Sequence, residues 1–136
     1  MGRMSEMNME DQIALTQAVM AILDSWGLSA TAQMTILNLP KGTPGRALRK
    51  YREHTPFPED AGVMQRLEQI VGIADALRTT YPHNPPMGTL WLQQSNSRFD
   101  NRAPLAVMID HGLQGLVEVH MHLDCSYDWH LDDKQA

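Results

Sequence analysis

Residues 120–125 carry the side chains of this chain that are best suited to chemistry. The run reads His120-Met121-His122-Leu123-Asp124-Cys125. Imidazole, carboxylate and thiolate groups are the ligands that zinc prefers in proteins. On a β-strand, His120, His122 and Asp124 share one face and can hold one ion, as a small metal-dependent hydrolase requires. On an α-helix, residues two apart point about 200° apart, so the same residues form a solvated or interface cluster instead.

The surrounding pattern is helical, so we predict no metal site, no cofactor and no catalytic residue. Cys125 is the only cysteine, and it lacks a His/Asn framework for nucleophilic catalysis. A single cysteine also excludes an internal disulfide and fits a reducing compartment. The chain has 136 residues, 43% of them hydrophobic, and a net charge of −5, which argues against disorder and against a general nucleic-acid binder. It contains no membrane-length apolar run and no signal-peptide pattern, so we expect a soluble, cytoplasmic protein.

The spacing of apolar residues predicts an all-α fold. Gly27 and Ser29 have the residue types of a helix stop and a helix N-cap. Pro40 ends the second helix, and Thr43 and Pro44 are suited to begin the third. The first half is therefore predicted to contain helices at residues 9–26, 30–37, 43–52 and 60–81, the last being a long central helix.

The second half is predicted to form a small helical domain. A turn-rich stretch at residues 82–86 separates it from the first half. Short helices are expected at 89–94, 103–110 and 113–123. We accordingly expect a flexible N-terminus at 1–10, a helix-turn-helix-like region at 11–81, a C-terminal helical domain at 88–125, and an acidic, partly disordered tail at 126–136.

The second and third helices have the proportions of a helix-turn-helix, whose second helix enters the DNA major groove. Five of the eleven basic residues lie between positions 41 and 52. Their cationic groups suit contacts with phosphate, and a threonine hydroxyl suits the same role. The predicted DNA-binding set is Lys41, Thr43, Arg46, Arg49, Lys50 and Arg52. The alternative is that this cluster is simply a solvated basic face.

Residues 88–119 contain four residues whose types predict particular structural roles. Trp91 is expected to bury its ring in a short helix, and Asn96 to cap or form an Asx-turn. Pro104 fits the first turn of the next helix, and Gly112 permits a left-handed backbone at its end.

This order, Trp91-Leu92, Asn96, Phe99, Pro104-Leu105, Gly112 and then Val117, resembles the C-terminal toxin-binding domain of the Xre/MbcA/ParS-type antitoxins. The segments Trp26-Gly27-Leu28-Ser29 and Arg66-Leu67 to Leu77 are similar to parts of the N-terminal region of that family. Trp91, Asn96, Pro104 and Gly112 are then the residues that define the domain.

The resemblance implies a non-catalytic antitoxin of a bacterial type II toxin–antitoxin system. Such a protein neutralises a partner toxin, often a RES-domain enzyme that degrades NAD, and represses its own operon as a homodimer bound to operator DNA. The residues expected to contact the toxin are Arg102, His120, His122, Tyr127 and Trp129. Two alternatives stay open, a protein-interaction module of the same fold without DNA binding, and the metal-dependent hydrolase that uses His120, His122 and Asp124.

Overall fold

The structure, a computed structural model, describes the backbone of residues 7–40 and 42–135 and the side chains of residues 7–40 and 42–124. This part of the chain forms six α-helices and one 3-10 helix, and it contains no β-strand. The all-α prediction is therefore confirmed. The helices are α1 (Met9–Ser25), α2 (Ala30–Leu37), α3 (Ala47–Glu53), α4 (Ala61–Thr80), α5 (Pro85–Gln93) and α6 (Pro104–Gln135), with the 3-10 helix Ser97–Phe99 before α6.

The chain divides into two compact units, Met1–Glu68 and Gln69–Ala136. The division falls inside α4 and not at the turn-rich stretch 82–86. Pro85 begins α5, because a proline at the first helical positions gives up no helical hydrogen bond. The helix therefore starts four residues before the predicted one.

The first unit has a core built from one face of each of its helices. Asn8 caps the start of α1, since its side chain accepts a hydrogen bond from the Asp11 amide at 2.8 Å, and the helix ends before Gly27, which has φ 77°. Ser29 caps α2 by accepting from the Ala32 amide at 3.1 Å, as the sequence predicted. The buried apolar residues of this unit are Val19, Met20, Leu23, Trp26, Ile36, Leu37, Leu48, Tyr51, Phe57, Val63 and Leu67.

The third helix is shorter than its sequence predicted. The Thr43 hydroxyl donates back to the Pro40 carbonyl at 2.6 Å and therefore does not cap a helix that follows. Residues 44–46 form tight turns, with the Ala47 amide bonded to the Pro44 carbonyl at 2.9 Å. Regular helix starts only at Ala47, so the prediction of a helix from Thr43 was wrong at its start.

The second unit consists of the later part of α4 with α5 and α6. In α6, Gly112 has φ 60° and ψ −133°, which breaks the helix into a first arm, residues 104–111, and a second arm, residues 113–135. The two predicted helices are thus confirmed, and helical backbone continues to Gln135, through positions that were expected to belong to an acidic tail. The buried apolar residues of this unit are Ile70, Ile73, Ala74, Leu77, Leu92, Leu105, Val107, Met108, Leu116, Val119 and Leu123.

The first helix starts at Met9, where the apolar spacing predicted it. Met9 and Glu10 are thus helical, although the expected flexible stretch was drawn as 1–10. Residues 1–6 lie outside the described part of the chain.

Candidate functional site

Three of the predicted DNA-binding cations form an exposed basic face on and beside α3. Arg46 lies at the N-cap position of the helix, Arg49 follows in its first turn, and Lys50 belongs to its last turn. The Arg49 guanidinium donates to the Glu53 carboxylate at 3.0 Å, an exposed pair that water screens strongly. Thr43 lies in the turn before the helix, and Lys41 falls outside the described residues. The basic face available for phosphate thus consists of Arg46, Arg49 and Lys50.

Arg52, the sixth predicted DNA-binding residue, is held by a carboxylate and an amide within the first unit. Its guanidinium donates to both carboxylate oxygens of Asp24, at 2.9 and 2.8 Å, and to Gln33 Oε1 at 3.0 Å. The amide of Gln33 in turn donates to Asp24 Oδ1 at 2.8 Å. A bidentate guanidinium–carboxylate pair is among the stronger polar contacts in proteins. Arg52 therefore ties α3 to the end of α1 and to α2.

This network also changes the acidity of its members. The hydrogen bond from Arg52 lowers the pKa of Asp24 below its usual value, against a smaller opposing effect of burial. The same hydrogen bond raises the pKa of Arg52. Both shifts favour the ionised pair.

In the second unit, Asn96 closes the loop that precedes α6. Its side chain accepts a hydrogen bond from the Arg98 amide at 2.9 Å, which forms the predicted Asx-turn. Its backbone carbonyl accepts from Phe99 and Asn101, each at 3.0 Å, and its amide donates to the Arg102 carbonyl at 3.1 Å. One asparagine thus fixes the shape of the whole connection.

Close backbone packing accompanies the break at Gly112. Pro104 opens α6, as predicted, and Gly112 has the left-handed φ that glycine favours. Gly115 is buried against the first arm, where a Cβ atom would lie 2.3 Å from the Val107 carbonyl oxygen. Since backbone cannot move aside as a side chain can, only glycine fits at this position.

Trp91 is half-buried and belongs to a cluster of three rings. Its indole stacks on the His122 imidazole with the centroids 5.8 Å apart and the planes at 4°. Phe99 lies edge-on to both rings, at 6.4 Å from Trp91 and 5.3 Å from His122. Burial lowers the pKa of His122, and the nearby positive charge of Arg98 lowers it further. Trp26 of the first unit, by contrast, is buried, with 3% of its surface exposed.

The other predicted histidine, His120, makes a different set of contacts. Its Nδ1 lies 2.8 Å from Gln69 Oε1 of α4, and its Nε2 lies 3.5 Å from Asp124 Oδ2 one helical turn away. The imidazole covers Gly72, where a Cβ atom would lie 2.4 Å from the ring. His120 and His122 therefore contact different neighbours, as the helical alternative predicted. Among the residues that the structure describes, no three His, Cys, Asp or Glu side chains are grouped to hold a metal ion.

The remaining predicted toxin contacts are partly accounted for. The Arg102 guanidinium pairs with Asp110 and lies 3.4 Å from the His111 imidazole. This pair links the loop to the first arm of α6. The side chains of Tyr127 and Trp129 lie outside the described residues, although both positions belong to α6.

Sequence reasoning missed an exposed apolar face on α5. Met87 and Leu90 are 41% and 42% exposed, and they share a face with the half-buried Trp91 by their helical spacing. Met121 of α6, beside His122 in sequence, is exposed as well. Because residues 82–86 were taken for a linker and the helix was expected at 89–94, Met87 had no predicted helical position. We call Met87, Leu90 and Trp91 the α5 face.

These observations define a helical protein with an exposed basic face in one unit and an exposed apolar face in the other. In the described part of the chain, no helix combines the length and the apolar character needed to cross a membrane. A scan against models of protein families finds no match to this chain, and a comparison with curated proteins finds none either.

Proposed function

We propose that this protein is an antitoxin of a type II toxin–antitoxin system and that it binds its partner toxin through the second unit. The observation that carries the proposal is the α5 face. Met87 and Leu90 leave large apolar side chains in water, beside an aromatic ring that has both packed and open surface. Contiguous exposed apolar groups with an aromatic anchor are typical of protein-binding surfaces.

The arrangement of the second unit supports the same proposal. Asn96, Pro104 and Gly112, which carry the resemblance to the Xre/MbcA/ParS-type domain, have the conformations that their residue types predicted, namely a closed turn, a helix start and a helix break. They position α5, the loop and α6 around the aromatic cluster. The described polar groups predicted to contact the toxin, those of Arg102, His120 and His122, already have neighbours within the unit. The apolar face is therefore proposed as the main contact, with the polar groups at its margin.

The partner that follows from this proposal is a toxin encoded beside this protein, of the RES-domain class if the resemblance extends to it. A non-catalytic role, a cytoplasmic location and a homodimer are part of the same proposal. They rest on the resemblance and on the two-fold habit of helix-turn-helix proteins.

Co-expression with the product of the neighbouring gene tests the proposal. The protein is expected to restore growth to cells poisoned by that product and to co-purify with it. The double variant Met87→Asp, Leu90→Asp should lose both effects, because two carboxylates would be buried without partners in the complex. Met9→Asp is the matched control, since Met9 is an exposed methionine of the first unit.

Different outcomes of this experiment test the binding surface and the antitoxin proposal separately. Unchanged helicity by circular dichroism would show that the double variant is folded. A folded double variant that still neutralises the toxin would eliminate the α5 face as the binding surface. Failure of the unmodified protein to bind the neighbouring product would remove the antitoxin proposal itself.

Autorepression through DNA is a second proposed activity, favoured by the exposed basic face of Arg46, Arg49 and Lys50. Against it stand the short α3 and the net charge of −5. A protein-interaction module without operator binding is the version of the proposal that remains if DNA binding is absent. The metal-dependent hydrolase has the least support, because His120 and His122 contact different neighbours.

A further inference from the structure

A shallow groove of about 320 Å³ in the second unit has one wall on α4 and one on α6. Four α4 residues and two α6 residues line it, namely Gly72, Asp75, Ala76, Thr79, His120 and Asp124. Gly72 has no side chain, and the His120 imidazole fills the space that a Cβ atom would occupy. The groove is therefore an opening onto one imidazole and two carboxylates, those of Asp75, which pairs with Arg78, and Asp124. Neither the aromatic cluster nor the α5 face includes them.

His120 and Asp124 have the spacing of a metal chelate. They are four residues apart on one helix, so their side chains lie on one face, one turn apart. His120 Nε2 and Asp124 Oδ2 are 3.5 Å apart. If an ion lay at the usual zinc bond length of about 2.05 Å from both atoms, the angle between its two bonds would be about 117°. This is close to the tetrahedral angle that zinc prefers. The two atoms thus stand at the separation of two ligands of one ion.

The opposite side of the imidazole is already oriented. Gln69 Oε1 accepts only, so the 2.8 Å contact makes His120 Nδ1 the donor. In the neutral ring this leaves the lone pair on Nε2, which faces Asp124. A metal-binding histidine usually donates a hydrogen bond from its other ring nitrogen to an oxygen acceptor. Gln69 therefore sets both the tautomer and the ring orientation that a metal needs.

We propose that His120 and Asp124 bind a divalent transition-metal ion, with zinc the best match, and that Gln69 is a positioning residue for this site. Two protein ligands leave the other positions of the ion to water or to donors of a bound partner. The site is separate from the catalytic three-ligand set that the sequence suggested, because His122 stacks on Trp91 and takes no part in it. The proposal does not depend on the antitoxin function.

Titration of the full chain with zinc chloride, followed by calorimetry, tests the site. One equivalent of zinc is expected to bind and to raise the thermal unfolding temperature relative to the protein in EDTA. His120→Ala and Asp124→Asn should each weaken binding at least about tenfold, and Gln69→Ala should weaken it about tenfold without removing a ligand. Magnesium, which prefers oxygen ligands, should give no comparable effect.

One variant that should gain zinc affinity and three control variants distinguish loss of the site from loss of folding. Asp124→His replaces a carboxylate with a second imidazole, a better zinc ligand, and should bind zinc more tightly than the unmodified chain. His83→Ala and His111→Ala remove other exposed imidazoles, and Cys125→Ser removes the thiol next in sequence. All three should bind as the unmodified chain does. Equal zinc affinity in the unmodified chain, His120→Ala and a folded Asp124→Asn would overturn the proposal, as would loss of binding on Cys125→Ser alone.

Discussion

At the scale of single residues, the chemical type of a side chain does not by itself determine its role in this protein. Arg52 belongs by type and position to the basic set that was predicted to bind phosphate, yet its guanidinium is committed to Asp24 and Gln33. His120 and His122 are two residues apart in sequence and face different environments. A side chain's function here depends on which neighbour the helix turns it toward.

The Asp24–Arg52 pair predicts a pH dependence of stability. Because Arg52 lowers the pKa of Asp24 in the folded state, the pair stabilises the fold fully above the unfolded value near 3.8. That contribution declines as the pH falls through the lowered pKa. Asp24→Asn should therefore be less stable than the unmodified protein at pH 7, by about 1 kcal/mol for so exposed a pair. Urea unfolding should show the difference shrinking toward pH 3, and a constant difference between pH 7 and pH 3 would contradict this assignment.

His122 predicts a second pH effect at a higher pH. Burial lowers its pKa in the folded state, so the unfolded chain binds a proton first. Stability from this residue is complete above the unfolded value of 6.5 and is lost as the pH falls through the lowered pKa. His122→Phe keeps an aromatic ring against Trp91 and removes the titration. Its free energy of unfolding should fall less between pH 7.5 and pH 5 than that of the unmodified protein, and an equal fall in both would exclude His122 as the source.

At the scale of elements, α6 depends on two glycines with different tasks. Gly112 supplies the left-handed backbone that breaks the helix, and Gly115 allows the second arm to approach the Val107 carbonyl. The first task is visible in the sequence, because a glycine after a predicted helix indicates a stop. The second is a contact between two arms whose packing no local pattern specifies.

Gly115→Ala should destabilise the protein severely for this reason. The new Cβ would lie 2.3 Å from a backbone oxygen, and the arms would have to separate. We expect a loss of about 3 kcal/mol, at the upper end for overpacking. Gly45→Ala is the matched control, because a Cβ there meets nothing within 4 Å and the loss of backbone freedom in the unfolded chain is mildly stabilising. Thermal unfolding of both variants gives the comparison, and an alanine at 115 that is tolerated would refute the close approach.

At the scale of the whole molecule, charge is distributed unevenly. The chain carries −5 overall, yet Arg46, Arg49 and Lys50 present a basic face. A negatively charged protein with a local basic face can meet phosphates only in one orientation.

If that face binds operator DNA, the affinity must fall with salt. Three phosphate contacts per chain give a slope of log K against log salt of about −2.7 per chain and about −5.4 for a dimer. Lys50→Ala should make the slope less negative by about 1 per chain at any DNA sequence. Binding to the upstream DNA at several salt concentrations measures the slope, and salt-independent affinity or no binding would leave only the protein-interaction version of the proposed function.

The sequence alone determined the helices and most of their ends, because these follow from local rules. Apolar spacing predicted the all-α fold, and Ser29, Asn96 and Gly112 have the backbone roles that their residue types indicate. The starts of α3 and α5 were exceptions. Thr43 has the right type for a cap, but its hydroxyl turns back to Pro40. When a side chain has two possible hydrogen-bond partners, the sequence alone does not determine which of them it binds.

Only the tertiary structure decided which groups face one another. Gln69 and His120 are 51 residues apart in sequence, and Trp91 and His122 are 31 apart. No local sequence pattern indicates contacts across such separations. The same is true of Arg52 and Asp24, which the packing of α3 on α1 brings together. Local propensity sets each helix, whereas burial of apolar faces sets how helices pair, and contacts such as these form where the paired helices meet.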